Sequence, residues 1–156
     1  MLFRSIDARP VDTARDAVTG CEIVVTSTTS TAPVLLGEWL SPGTHINAIG
    51  ANYEHRRELD TEAVARARFI ATDDTEQVRY EATDLVAPVN EGLLGWDKVA
   101  PLGDVVAGLI KGRTAQEDIT LFKSLGVAIE DVALAIRAYE KATAQGIGTP
   151  LPNLSG

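Results

Sequence analysis

The sequence predicts an α/β chain built on a largely parallel sheet and ending in a helix. Three observations carry that prediction. The runs at residues 21–27 (CEIVVTS) and 45–49 (HINAI) are unbroken and rich in β-branched or apolar residues, as expected of strands covered on both faces. These runs alternate with segments of helical character, the pattern of parallel strands joined by crossovers. Near the end, Ile129, Val132, Ile136 and Tyr139 recur at helical spacing, with Glu130, Arg137 and Lys141 on the other side.

In chain order, residues 11–18 (VDTARDAV) form a helix stopped by Thr19-Gly20. The strand at 21–27 runs into a polar stretch, 26–31. Pro33 then opens a short helix ending near Leu40, and Ser41-Pro42-Gly43 marks a turn. The strand at 45–49 is closed by Gly50. Residues 60–67 form a helix, 69–72 (FIAT) a third strand and 76–87 another helix. The glycine-rich stretch 90–113 has no clear pattern beyond a turn or two of helix at 104–109. Residues 119–123 (ITLFK) make a fourth strand, the last helix stops at Gly146, and 149–156 form a loose tail. Repeats, low-complexity tracts and linker-like segments are absent from the sequence.

Composition narrows the function classes. At 156 residues, 45% hydrophobic and 23% charged, the chain can bury a core and is not of disordered type. Its net charge of −8 disfavours non-specific contact with nucleic acid or anionic membranes. One cysteine excludes an internal disulfide and fits a reducing compartment. No apolar run approaches the ~20 residues that span a bilayer, and residues 1–10 lack a signal-peptide core. A cytoplasmic protein is expected.

In a parallel sheet, ligands sit beyond the carboxyl ends of the strands. That rule selects the 26–31 loop and Gly50-Ala51-Asn52, both small and polar enough for a flat or phosphorylated ligand to approach the backbone. Thr28, Thr29 and Ser30 suit either a helix cap or ligand contact. Arg56 and Arg57, with Glu58 and Asp60, read by composition as a solvated helix start. His45 and His55 lack further ligands at metal spacing, so no metal is expected and His45 is read as structural. Cys21 is read as a small core residue, since no cation nearby would lower its pKa. Residues 146–151 (GIGTPL) follow a helix where a dinucleotide fingerprint must follow a strand. Ser124 lacks the leading glycine of a nucleophile elbow.

Four segments together resemble the ornithine cyclodeaminase/mu-crystallin family: 22–35 (EIVVTSTTSTAPVL), 43–52 (GTHINAIGAN), 57–60 (RELD) and 112–131, from GRT through DITLFKSLG to AIED. They occur in family order and span roughly residues 10–148. The resemblance implies a partial Rossmann-type, NAD(P)-binding sheet over residues 1–126. A helix at 127–148 would pack, in the family, on a dimerisation and substrate domain, followed by the tail at 149–156. The matching part is the C-terminal half of family members, and no G-x-G-x-x-G/A turn precedes Cys21. A fragment is therefore expected, inactive alone, with an open sheet edge that invites self-association.

For the site, the resemblance implies cofactor contacts (NAD or NADP) from Thr28, Thr29, Ile49, Gly50, Ala51, Arg56 and Ser124, with Leu125 beside the substrate. Asn52 stands where the cyclodeaminase and alanine dehydrogenase branches have a proton-transferring aspartate. An amide cannot exchange a proton near neutral pH, although it can orient an amine or water. The implied activity of the intact protein, a homodimer in the family, is NAD(P)-dependent imine reduction or amino-acid dehydrogenation on small α-imino or α-amino acids. Three alternatives stay open: ornithine cyclodeamination, mu-crystallin-like binding of NADPH and a small ligand, and a remnant without function.

Overall fold

In a computed structural model, which describes residues 8–149 and 151, five strands form one parallel sheet. They are β1 (Ile23–Thr26), β2 (His45–Ala48), β3 (Phe69–Thr72), β4 (Val99–Pro101) and β5 (Thr120–Lys123), in the order β1-β2-β5-β3-β4. The chain divides into two compact units, Met1–Leu125 and Gly126–Gly156.

Register explains the core of the first unit. Val24 pairs with Ile46, Ile46 with Leu121, Leu121 with Ile70 and Ile70 with Val99, so one buried apolar row crosses the whole sheet. The next row on the same face is Thr26, Ala48, Lys123 and Thr72, also buried. Side chains alternate across a strand, and the alternate positions of β1 behave differently: Ile23 and Val25 are 64% and 57% exposed. The expectation of cover on both faces is corrected here. β-Branched residues favour strands on either face, so the unbroken run signalled strand propensity and not two-sided burial.

The helices follow from local chemistry. Helix α1 (Ala14–Val18) starts at Thr13, whose hydroxyl accepts from Asp16 N–H. Helix α2 (Thr61–Arg66) starts at Asp60, whose Oδ1 accepts from Ala63 N–H at 2.7 Å and Gly37 N–H at 2.9 Å. The helix expected before Leu40 is only a 3₁₀ turn at Gly37–Trp39. Gly37 lies against the start of α2 so closely that a Cβ would sit 2.6 Å from Ala63 N.

The helix expected at 76–87 is two, α3 (Val78–Glu81) and α4 (Thr83–Asn90), broken at Ala82. The Thr83 hydroxyl donates to Glu54 O at 2.7 Å and ties the start of α4 to the 54 loop. The fifth strand, β4, was invisible in the sequence because it is short and ends in proline. Proline is tolerated on a sheet edge, where β4 sits. Helix α5 (Leu102–Val106) follows directly.

In the second unit, α6 (Ala128–Gln145) buries no side chain and ends at Gly146, whose φ of 63° is the left-handed cap expected of glycine. Of the tail at 149–156, only Thr149 and Leu151 fall within the described residues.

Candidate functional site

Because β1, β2 and β5 are neighbours and parallel, the loops leaving their carboxyl ends lie side by side. These loops hold Thr28 and Thr29, then Ile49 to Asn52, then Ser124 and Leu125. Sheet-like bonds continue between the last two segments and the strands: Ile49 N–H donates to Thr26 O, and Ser124 N–H to Ala48 O.

A buried carboxylate locks the first two loops together. Glu58 is fully buried. It arrives there because its carbonyl accepts from Val34 and Leu35 N–H while Asp60 N–H donates back to Leu35 O. Glu58 Oε1 accepts from Thr28 N–H at 2.5 Å. Its Oε2 accepts from the Thr26 hydroxyl at 3.0 Å, Gly50 N–H at 2.9 Å and Ala51 N–H at 3.1 Å. Burial pushes the Glu58 carboxyl up, but donors on Thr28, Thr26 and Gly50 outweigh it and hold the pKa below the ordinary glutamate value.

Two further buried ions stand beside Glu58. Asp84, in the first turn of α4, accepts through Oδ1 from Glu58 N–H at 2.8 Å and Leu59 N–H at 2.9 Å. Its Oδ2 lies 3.1 Å from Lys123 Nζ, off hydrogen-bond alignment, and both side chains are 0% exposed. Lys123 donates to the Ala51 carbonyl. Gly50 is obligatory in this arrangement: a Cβ there would lie 2.3 Å from Thr28 N and 2.5 Å from Glu58 Oε1.

Above this layer, Thr28, Thr29 and Ile49 are exposed and Asn52 is half-buried. Arg56 is half-buried with its guanidinium 5.0 Å over the Tyr53 ring, which in turn stacks on His55. At the other end, Asp73 Oδ2 accepts from the Ser124 hydroxyl at 2.9 Å and Leu125 N–H at 2.8 Å. The Leu125 side chain is buried in the core.

The arrangement discriminates between ligand types. The amides of Thr28, Gly50 and Ala51 are already given to Glu58, so they cannot cradle phosphate oxygens, and a carboxylate lies beneath them. What is exposed there is Thr28, Thr29 and the apolar Ile49 surface, which suits a flat, neutral or cationic ring. Among the described residues no three His, Cys, Asp or Glu side chains form a metal-binding group. His45 Nδ1 is paired with the Thr120 hydroxyl at 2.7 Å beside a cavity of about 420 Å³ that Phe69, Leu102, Val105 and Phe122 help to line. That cavity lies over the alternate residues of β2, β3 and β5, reaching their amino ends, and not at the loops.

The loops follow from the strand pattern of the sequence, whereas what holds them does not. Composition places Glu58 in a solvated helix start, and the structure corrects this: it is buried and saturated with donors. Lys123 carried a usable signal. It has the same strand parity as Leu121, so a charge was bound to face the core.

The model of the ornithine cyclodeaminase/mu-crystallin family matches residues 3–146. The chain belongs to that family. Alanine dehydrogenase of Archaeoglobus fulgidus is 44% identical over 132 residues, which cover 84% of this chain and 40% of that protein. The structure of Δ1-pyrroline-2-carboxylate reductase from Thermococcus litoralis, solved with NADH and L-proline, superposes with a TM-score of 0.82 at 42% identity. It covers 90% of this chain and 44% of that one. An archaeal alanine dehydrogenase dimer with bound NAD gives a TM-score of 0.80 at 40% identity, covering 97% and 47%. The chain thus spans less than half the length of these ornithine cyclodeaminase/mu-crystallin relatives. Among the described residues no helix is long and apolar enough to cross a membrane.

Proposed function

We propose that this chain supplies the nicotinamide-facing side of an NAD(P)-dependent imine reductase or amino-acid dehydrogenase acting on small α-imino or α-amino acids. The observation that carries the reading is the set of three loops at adjacent strand ends, with the amides of the first two turned inward to Glu58 while Thr28, Thr29 and Ile49 stay exposed. A pyrophosphate needs the opposite, free amides at a glycine-rich turn, so the ring end of the dinucleotide is the part these residues fit. Bound there, the nicotinamide would supply hydride chemistry.

Thr28, Thr29, Ile49 and Ser124 would hold the ring, with Gly50 and Ala51 shaping its floor and Arg56 at the rim. Leu125 would place the strand end nearest the substrate. Asn52 would orient the imine nitrogen or a water without taking a proton, because an amide has no titration near neutral pH. Reduction of a protonated imine needs no base at this position, whereas deamination of ornithine does. A homodimer at the length of the relatives completes the proposal, as does a cytoplasmic setting. The same amide supports a second reading, a mu-crystallin-like protein that binds NADPH and a small ligand without turnover.

A protein carrying this chain at the length of its relatives is expected to oxidise NADH or NADPH with Δ1-pyrroline-2-carboxylate and to release no ammonia from ornithine. Conversion of ornithine to proline with Asn52 in place would overturn the proposal. Tight NADPH binding with no turnover would favour the second reading.

A further inference from the structure

Lys123 has no part in the hydride reading, yet it is a cation at 0% exposure in a sheet row that an apolar residue would fill equally well. Burying an ion pair seldom stabilises a fold relative to apolar packing. What an apolar residue cannot do is reach the Ala51 carbonyl.

Ala51 is gripped at both ends by ions of opposite sign. Its N–H donates to Glu58 Oε2 at 3.1 Å, and its carbonyl accepts from Lys123 Nζ. The second of those peptide planes leads into Asn52. Asp84 ties the two ions together, holding the Glu58 backbone N–H through Oδ1 and standing 3.1 Å from Lys123 through Oδ2. Glu58 also holds Thr28, so one connected set of charges fixes both loops.

We propose that Glu58, Asp84 and Lys123 are positioning residues, a clamp that sets the Gly50–Asn52 backbone against Thr28 before any ligand arrives. The proposal rests on the reading of these loops as ligand-facing. Small errors in the placement of a reacting group are costly, which gives such a clamp its use.

Amide hydrogen exchange on the ligand-free chain tests it directly. Gly50, Ala51 and Thr28 are expected to exchange about as slowly as Ile46 in the middle of the sheet. Exchange at the rate of an open loop would overturn the clamp with no variant needed. Lys123→Met is expected to lower Tm by roughly 10 °C, because it strands Asp84 as an unpaired buried charge. The double variant Asp84→Asn/Lys123→Met removes both charges and should regain most of that Tm. Its Gly50 and Ala51 amides should nevertheless exchange about tenfold faster than in the wild type.

A double variant that recovers Tm and protects these amides like the wild type assigns Lys123 a packing role only. One that stays as unstable as the single variant does the same, and either result overturns the proposal. Neither readout uses a ligand, so a chain that fails to bind NADH counts against the reading of the loops and not against the clamp.

Discussion

Gly50→Ala is expected to destabilise the chain by about 3 kcal/mol, the upper range for forcing a group into filled space. The added Cβ would meet Thr28 N at 2.3 Å, Glu58 Oε1 at 2.5 Å and Thr28 O at 2.5 Å. Two of these are backbone atoms and the third belongs to a carboxylate held by four donors, so none can swing aside cheaply. Relief requires the Thr28 loop to move away from Gly50, which breaks the bond from Thr28 N–H to Glu58. Denaturant unfolding measures the loss. A fold that accepts alanine within about 0.5 kcal/mol, the scale of an ordinary surface change, would show that the two loops are not in contact.

Glu58→Ala is expected to cost about 3–5 kcal/mol, the range for breaking a buried charged network. It leaves the Thr26 hydroxyl and the amides of Thr28, Gly50 and Ala51 without their acceptor. The milder Glu58→Gln keeps one acceptor oxygen and tests the charge. Since the folded pKa lies below the ordinary value of about 4.3, the Glu58 contribution is complete above that value. It is lost as pH falls through the lower, folded pKa. Stability of the wild type should therefore fall more steeply than that of Glu58→Gln on acidification below about pH 4. Parallel acid profiles for the two proteins would remove Glu58 from the account of acid stability.

What the sequence disclosed and what it hid divide along physical lines. The strands containing Val24, Ile46, Ile70 and Leu121 were legible because β-branched and apolar runs need no partner to be recognised. The positions of the loops holding Thr28 and Gly50 were legible because each directly follows one of these runs. Strand β4 was hidden by Pro101, and the break at Ala82 by an otherwise continuous helical pattern. Glu58 was hidden for a different reason. Its neighbours Arg56, Arg57 and Asp60 are polar, and only the pairing of residues 34–35 with 58–60 turns this one carboxylate inward. The buried charge of Lys123 could have been read from strand parity, but its partners Asp84 and Ala51 are brought to it by the fold alone.

The most direct test is a titration with NADH of an isotope-labelled protein carrying this chain at the length of its relatives, followed by NMR at each amide. Saturable shifts concentrated at Thr28, Thr29, Ile49, Asn52 and Ser124, and weaker in Gly50→Ala, are the expected result. Shifts gathered instead around His45 and Arg113, or no shifts at millimolar NADH, would contradict the assignment of these strand-end loops to the nicotinamide.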